Sequence, residues 1–446
     1  MSIFLILGLV VATLIVLLRL KRSLGFSVLC SGLLIWLLLK PEPHLLVDGV
    51  VSMLQRSRTY DLVGSLYFVV CLEIELRQSG CLDGMVKYLQ QLTSSKKLSM
   101  AIMAAFLGLL PSIGGARFSA PIVKQIAQGE AISCDRLSAV NFWFRHICEF
   151  ASPIVPGIIL ACSVAGIPVI DLICHLAWLT PAAFVIGWIV LYHNVTLNEE
   201  KRIEISGAQK RKERFDFLLS FTPILIALVL MMTFKLSAWA ALGITVLATG
   251  LLLKLCRRPV QIADVLIRAV EWRLFRDVFC IFFFMELLES TGLLQALVAN
   301  VTQSAMPLEW VIAVLSFMVG ILTGITQGQV AVVVPIVAAA APGNLEMLSI
   351  AMVCGLGGQM LTPTHMCLTI SLDYFKGDFF QDRRTVRYLR SSAFSSIWHF
   401  RLAISNPLIT LGGNRLCPIS VPFRKQHRMS RILLKSPPIR STPNCG

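Results

Sequence analysis

The sequence predicts an all-α membrane protein with about 10–12 membrane segments, arranged as two inverted repeats that each hold a re-entrant hairpin and a broken helix. Of its 446 residues, 56% are hydrophobic and only 15% are charged, whereas an average soluble domain has about 25% charged residues. Mean hydropathy is +0.75. The apolar residues form runs of about 15–25 residues, which is long enough for helices to cross a hydrocarbon core of about 30 Å. The composition therefore argues against a soluble protein.

The membrane segments follow from apolar runs that end at charged or turn residues. The first run, Ile3 to Leu18, has basic residues only behind it, at Arg19, Lys21 and Arg22, so we expect a retained span and not a signal peptide. The repeats are predicted at 1–192 and 216–381, with a basic linker at 193–215 and a tail at 382–446. The predicted segments are 3–18, 26–39, 60–76, 98–123, 139–165, 168–192, 216–234, 237–253, 277–290, 308–341 and 346–374.

The net charge of +15 does not indicate a nucleic-acid partner, because the excess lies in the tail. Residues 383–446 carry twelve Lys and Arg and no acid, which leaves a net charge of only +3 for the rest of the chain. Two origins of this segment stay open: a frame-shifted end of the gene, or a basic tail that contacts anionic lipid. The 13 cysteines occur singly, without ligand spacing, so no resident metal is expected.

Loop charges predict the orientation, because cytoplasmic loops are enriched in Lys and Arg. The loops 193–214 and 254–276 each carry six basic residues. Both loops are cytoplasmic if segment 98–123 enters the membrane and returns to the same side, and its Pro111-Ser112-Ile113-Gly114-Gly115 centre would interrupt a helix.

An internal repeat supports this topology. At an offset of 212 residues, Gly108-Leu109-Leu110 aligns with Gly320-Ile321-Leu322, and at an offset of 210 Ser152-Pro153 aligns with Thr362-Pro363. The charge-derived topology runs the two halves in opposite directions. Inverted repeats with helices interrupted at matching places indicate a transporter site near the bilayer midplane.

The two hairpin tips are the predicted substrate site. Glycine lets backbone approach a ligand closely, and a half-helix that starts there directs unpaired N–H groups at an anion. An intramembrane Arg beside the first tip either contacts that anion or extends to the cytoplasmic surface. The alternative for the glycines is close helix packing, including Gly320 and Gly324. The substrate-binding candidates are Ser112, Gly114, Gly115, Arg117, Thr323, Thr326, Gln327 and Gly328.

A second pair of interrupted segments, 141–156 and 355–365, could bind a coupling ion. A proline frees a backbone carbonyl, which in lipid needs a hydroxyl, water or cation. These segments would thus supply oxygen atoms for Na⁺ or protonatable groups for H⁺. The alternatives are an ion pair between Arg145 and Glu149 and a packing role for His365. The ion-coupling candidates are Asn141, Glu149, Ser152, Thr362 and His365.

Three blocks resemble domain-of-unknown-function family 401, a family of prokaryotic integral membrane proteins: Gly108 to Pro121, Asn141 to His146 and Leu361 to Leu368. The resemblance covers about residues 1–380. That family looks like a branch of the ion transporter superfamily, with gluconate permeases, citrate symporters, arsenite permeases and dicarboxylate carriers. The resemblance implies an elevator-like mechanism and a homodimer. The carriers' Ser-Asn-Thr tips are replaced here by Pro111-Ser112-Ile113 and Thr326-Gln327-Gly328, so carrier specificity cannot be transferred.

The sequence thus predicts a multi-pass secondary transporter in the cytoplasmic membrane of a prokaryote, moving a small organic or inorganic anion coupled to H⁺ or Na⁺. The expected partners are that anion and the lipid bilayer, without nucleic acid or a resident cofactor. An intramembrane enzyme or enzyme subunit is the alternative, as is an ion channel, but the chain has no nucleophilic or hydrolytic motif.

Overall fold

The computed structural model describes residues 3–20, 22–109, 116–197, 206–302, 306–362 and 365–377, and this part of the chain is helical without strands. The helices are α1 Ile3–Arg19, α2 Leu24–Leu39, α3 Pro43–Gln55, α4 Ser57–Gln78, α5 Cys81–Leu92, α6 Lys96–Leu109, α7 Ala116–Ile126, α8 Cys134–His146, α9 Pro156–Ala165, α10 Val169–Leu176, α11 Leu179–Leu191, α12 Gly207–Thr233, α13 Ala238–Leu255, α14 Ile262–Arg268, α15 Trp272–Ser290, α16 Leu293–Thr302, α17 Leu308–Thr323, α18 Thr326–Ala340, α19 Leu345–Leu361 and α20 Met366–Phe375, with a 3₁₀ turn at Glu149–Ala151.

The all-α membrane class is confirmed by the length and composition of the helices. Five stretches are long and apolar enough to cross a bilayer: Cys134–Ala165, Val169–Leu191, Gly207–Thr233, Ala238–Leu255 and Leu345–Phe375. Shorter apolar helices lie at Leu5–Arg19, Leu24–Leu39, Leu308–Thr323 and Thr326–Ala340. Large apolar side chains face outward on α11 and α13, among them Val185, Ile189, Leu247 and Leu251. In water such a surface would be unfavourable, and in a bilayer it faces the lipid.

The order of elements from α1 to α9 recurs from α12 to α20, and equivalent elements make equivalent contacts. Helix α2 packs on α15, and its counterpart α13 packs on α4. Helix α6 contacts α7 and α8, as α17 contacts α18 and α19. Helix α9 lies on α18, and α20 lies on α7. The second halves of the two sets therefore contact each other.

The interruptions predicted at 323–329 and 141–156 are present as breaks between helices. Helix α17 ends at Thr323, Gly324 takes a left-handed conformation with φ of 67°, and α18 begins at Thr326. Helix α8 ends at His146, and α9 begins at Pro156, a residue suited to a first helical turn because it has no N–H to leave unpaired. Residues 110–115 lie between α6 and α7 and are outside the described residues.

Glycines at equivalent positions let α6 and α17 approach the broken helices. A Cβ atom on Gly108 would overlap the carbonyl oxygen of Arg145 in α8, and one on Gly320 would overlap that of Gly355 in α19. One on Gly358 would overlap the carbonyl oxygen of Phe317. The packing alternative therefore applies to Gly320, because its missing side chain lets two backbones touch.

Candidate functional site

A hydrogen-bonded cluster at the start of α18 joins three separate elements. The hydroxyl oxygen of Thr326 lies 2.9 Å from Oε1 of Glu149 and 2.8 Å from Oε1 of Gln359. Glu149 lies in the 3₁₀ turn after α8, Thr326 is the first residue of α18, and Gln359 lies near the end of α19. Thr326 and Gln359 are buried and Glu149 is partly buried. The cluster therefore holds the two halves of the chain together.

The Thr326 hydroxyl has a single proton, so it cannot donate to both neighbours. Two arrangements satisfy all three groups. With Glu149 ionised, Thr326 donates to the carboxylate and accepts from Gln359, whose amide N and O positions are interchangeable. With Glu149 protonated, the carboxyl donates to Thr326, which donates to Oε1 of Gln359. The chain of bonds can thus accommodate either protonation state by reversing its direction.

The position of Glu149 bears on the anion site that the sequence predicts at the second hairpin tip, where α18 begins. The N-terminus of a helix attracts negative charge through its unpaired N–H groups and its dipole. At α18 the group beside this N-terminus is a carboxyl from the other half of the chain. A substrate anion at the same place would compete with ionised Glu149.

A histidine pair forms a second contact between the halves. Nε2 of His146 lies 3.0 Å from Nε2 of His365, and the rings meet edge to face at an interplanar angle of 70°. Nδ1 of His146 lies 2.6 Å from the carbonyl oxygen of Phe142, and Nδ1 of His365 lies 2.9 Å from that of Gly324. Both histidines are buried, and the Phe142 ring contacts both. His365 thus links the turn of the second hairpin to the end of α8.

Side chains from the first broken helix bind the end of the first hairpin arm. The last carbonyl groups of a helix lack partners within it. In α6, the Leu107 carbonyl accepts from Nη1 of Arg145 at 3.1 Å, and the Leu109 carbonyl accepts from the hydroxyl of Ser152 at 3.2 Å. Because α8 ends at His146, Arg145 and Glu149 do not lie on one continuous helix. Ser152 holds the helix end in place.

Two other ion-coupling candidates, Asn141 and Thr362, belong to the two interrupted segments. Asn141 donates from Nδ2 to the hydroxyl of Ser371 at 2.9 Å and so joins α8 to α20. Thr362 is buried directly after α19. Asn141 lies inside α8, before its end at His146, whereas Thr362 lies directly after the end of α19.

Most of the substrate-binding candidates either support the turn or lie beyond the described residues. The Thr323 hydroxyl donates to the Val319 carbonyl at 2.8 Å, Gln327 is partly buried, and Gly328 packs closely against Thr323. Thr326 is hydrogen-bonded to the other half through Glu149. Ser112, Gly114, Gly115 and the side chain of Arg117 lie outside the described residues, so their predicted roles stay predictions.

Sequence reasoning did not single out His146 and Gln359 as site residues. Each lies in an interrupted segment that was identified, but their partners are 219 and 33 residues away in sequence. The available signal was a polar or ionisable residue inside an apolar run, which in a membrane marks a functional position.

A cavity of about 560 Å³ lies away from this cluster. Asp61, Asp171 and Lys235 line it, and it is bounded by α4, α9, α10 and the turn between α12 and α13. Glu149, Thr326 and the two histidines are not among its lining residues.

Two comparisons with known proteins bear on this chain. No curated protein matches it. The family described as protein of unknown function DUF401 matches residues 2–393, which covers all of the described helices. The chain therefore belongs to the DUF401 family, as its three sequence blocks indicated.

Proposed function

We propose that this protein is a secondary transporter in the cytoplasmic membrane that moves a small organic or inorganic anion together with a proton. The observation that carries the proposal is the Thr326 hydroxyl between Glu149 and Gln359. It joins a helix N-terminus, which suits an anion, to an acid that can exchange a proton.

The position of the cluster supports transport. Broken helices in a membrane protein are tolerated where they line a site or a water-filled cavity, because their free backbone groups need partners. Here the ends of α8, α17 and α19 and the start of α18 converge at one place. Equivalent parts of the two halves build it, which is the arrangement expected of a repeat-based transporter.

Coupling follows from competition at the start of α18. Ionised Glu149 lies where the helix N-terminus favours negative charge, so it opposes an incoming anion. Protonation removes that charge and leaves the N-terminus to the substrate. Proton and anion then enter and leave together, and neither moves alone. The sequence leaves both H⁺ and Na⁺ open as the coupling ion. Glu149 and the histidine pair favour H⁺ because they are titratable.

The packing of the halves suggests which part moves. Helices α2, α4, α13 and α15 pack in two equivalent pairs, α2 with α15 and α4 with α13. The hairpins and broken helices pack mainly on one another. We assign the first group to a stationary scaffold and the second to the moving part of an elevator-like cycle.

The test is anion uptake into proteoliposomes that contain the purified full chain. A panel of mono- and dicarboxylates, phosphate, sulfate and oxyanions is offered with and without an inward proton gradient, and internal pH is followed with a trapped dye. We expect at least one anion to accumulate with the gradient and to acidify the lumen. Glu149→Gln should abolish gradient-driven accumulation, and Glu42→Gln, at an exposed position before α3, should not.

Three outcomes would contradict the proposal. Absence of uptake for the whole panel, with folded and inserted protein, would refute transport of these anions. Anion movement that never exceeds equilibrium would indicate a channel. Chemical conversion of an added compound would indicate the enzyme alternative.

A further inference from the structure

We propose that His146 and His365 bind one shared proton between their Nε2 atoms, which makes the pair a second coupling-proton site, besides Glu149, where the two halves of the chain meet. The identification with the coupling proton rests on the proposed function. The shared proton itself follows from the hydrogen bonds of the two rings.

The first step is the state of the two Nδ1 atoms. Each lies within hydrogen-bond distance of a backbone carbonyl oxygen, at 2.6 Å for His146 and 2.9 Å for His365. A carbonyl oxygen only accepts, so each Nδ1 must carry a proton. In a neutral imidazole one nitrogen is a donor and the other an acceptor. Both Nε2 atoms of two neutral rings would therefore present lone pairs.

The second step is the distance between those lone pairs. The Nε2 atoms are 3.0 Å apart in a buried place, which is a normal length for a hydrogen bond and a repulsive one for two acceptors. One added proton converts this contact into a charge-assisted hydrogen bond. The pair then holds three N–H protons and one positive charge, and every ring nitrogen has a suitable partner.

The surrounding groups make this proton exchangeable. Burial disfavours the added charge, and Arg145, adjacent to His146 on α8, also opposes it electrostatically at both histidines. The carbonyl oxygens of Phe142 and Gly324 favour it, because each accepts a hydrogen bond from one of the rings. Sγ of Cys367 on α20 lies within 4.8 Å of a ring nitrogen of each histidine. The added proton is thus stabilised by some neighbours and opposed by others, which suits a site that must bind and release.

A metal ion is the rival occupant, because two histidines and a cysteine can bind one. Tetrahedral Zn²⁺ at about 2.0–2.1 Å from each nitrogen would set the two nitrogens about 3.3 Å apart and the sulfur about 3.5 Å from them. The nitrogens are closer than that. Their separation is that of two nitrogens that share a hydrogen-bonded proton.

The proton would control a contact between the halves. His146 belongs to the first broken helix, and His365 holds the carbonyl of Gly324 in the turn between α17 and α18. With the proton bound, the turn is fixed to α8. Without it, the two Nε2 lone pairs repel and the turn is released from α8.

The direct test is ¹⁵N NMR of the full chain in lipid nanodiscs with ¹⁵N-labelled histidine side chains. A shared proton gives a scalar coupling between two Nε2 atoms across the hydrogen bond. We expect this coupling in the unaltered protein, its loss in His146→Gln and in His365→Gln, and its retention in the control His193→Gln, which alters an exposed histidine after α11. Thermal unfolding of each variant checks that it is folded.

Two results would overturn the proposal. One is the absence of the coupling at every pH at which the protein is folded. The other is a stoichiometric metal ion in the purified protein, found by elemental analysis, whose removal by a chelator changes the histidine signals.

A transport measurement separates this proposal from the proposed function. His146→Gln should retain anion exchange across equal pH and weaken proton-driven accumulation, because Glu149 still moves its proton while the number of protons moved per anion falls by one. Coupling in the spectrum without any transport would refute the proposed function and leave the shared proton intact. Proton-driven transport without a scalar coupling between the two Nε2 atoms would refute the shared proton and leave the proposed function intact.

Discussion

Replacing Gly320 by Ala should destabilise the protein, although alanine is the better helix former. The added Cβ would lie less than 3.0 Å from the carbonyl oxygen of Gly355, and that oxygen belongs to the backbone of α19 and cannot rotate away. Helices α17 and α19 must therefore separate along their whole interface. The reciprocal contact of Gly358 with the Phe317 carbonyl would be loosened at the same time.

The expected change in the free energy of unfolding follows from two opposing effects. Overpacking of a well-packed interface costs about 1–3 kcal/mol, and a rigid backbone clash lies at the upper end. The higher helix propensity of alanine returns about 1 kcal/mol. The net loss is then about 2 kcal/mol. The control is Gly8→Ala in α1, where nothing lies within 4 Å of the added atom, so only the stabilising effect of about 1 kcal/mol applies.

The assay is thermal unfolding in detergent, followed with a thiol-reactive dye. Cys148, Cys162 and Cys354 are buried and become reactive when the protein unfolds. A change of 1 kcal/mol shifts the Tm by about 2–4 °C in chains of about 150–250 residues and by less in longer ones. We expect Gly320→Ala to melt about 2–6 °C below the unaltered chain and Gly8→Ala to melt at or slightly above it.

Gly108→Ala should behave like Gly320→Ala, because it would meet the Arg145 carbonyl in the same way. The reasoning is refuted if Gly320→Ala melts as high as Gly8→Ala.

Of three further predictions, two concern single contacts and one concerns the membrane topology. Thr326→Val should lower the stability by about 1–3 kcal/mol by leaving two hydrogen-bonding partners unsatisfied, and Thr326→Ser should restore it; equal Tm values for both variants would contradict this. Arg258→Ala should cost about 3–5 kcal/mol, since its ion pair with Asp216 is largely buried. Arg268→Ala, in a largely exposed pair, should cost at most about 1 kcal/mol, and similar losses for the two arginines in chemical unfolding would be unexpected. A cysteine at position 210, Lys210→Cys, should react with a membrane-impermeant reagent only after permeabilisation; labelling of intact cells would place this loop outside and refute the inverted topology.

The apolar helices could be predicted because their composition alone determines their environment. The runs 26–39 and 237–253 correspond closely to α2 and α13. The short helices α5 and α14 were missed, since each mixes charged and apolar residues and does not form an apolar run. The linker 193–215 is also partly helical: α12 begins at Gly207, within the basic segment. Long charged side chains near a membrane surface are compatible with a helix that extends beyond the bilayer.

The types of residue in the site could be predicted from the sequence, but which of these residues contact one another could not. Thr326, Glu149 and His365 each stand in an interrupted segment, which the sequence shows directly. Their contacts join positions 177 and 219 residues apart, and spacing along the chain carries no information about such distances. The assignment of an anion to the start of α18 overlooked Glu149 for the same reason.

The pairing of helices from different halves of the chain has a consequence for biosynthesis. Because α2 packs on α15 and α4 packs on α13, the first half leaves the ribosome with two helix faces whose partners do not yet exist. Lipid or a membrane chaperone must cover those faces until the second half is inserted. A ribosome that stalls after α11 would release a product in which α2 and α4 lack these partners, so quality-control proteases should remove it. Two half-length chains made separately should find each other in the membrane, since each supplies the surface that the other lacks.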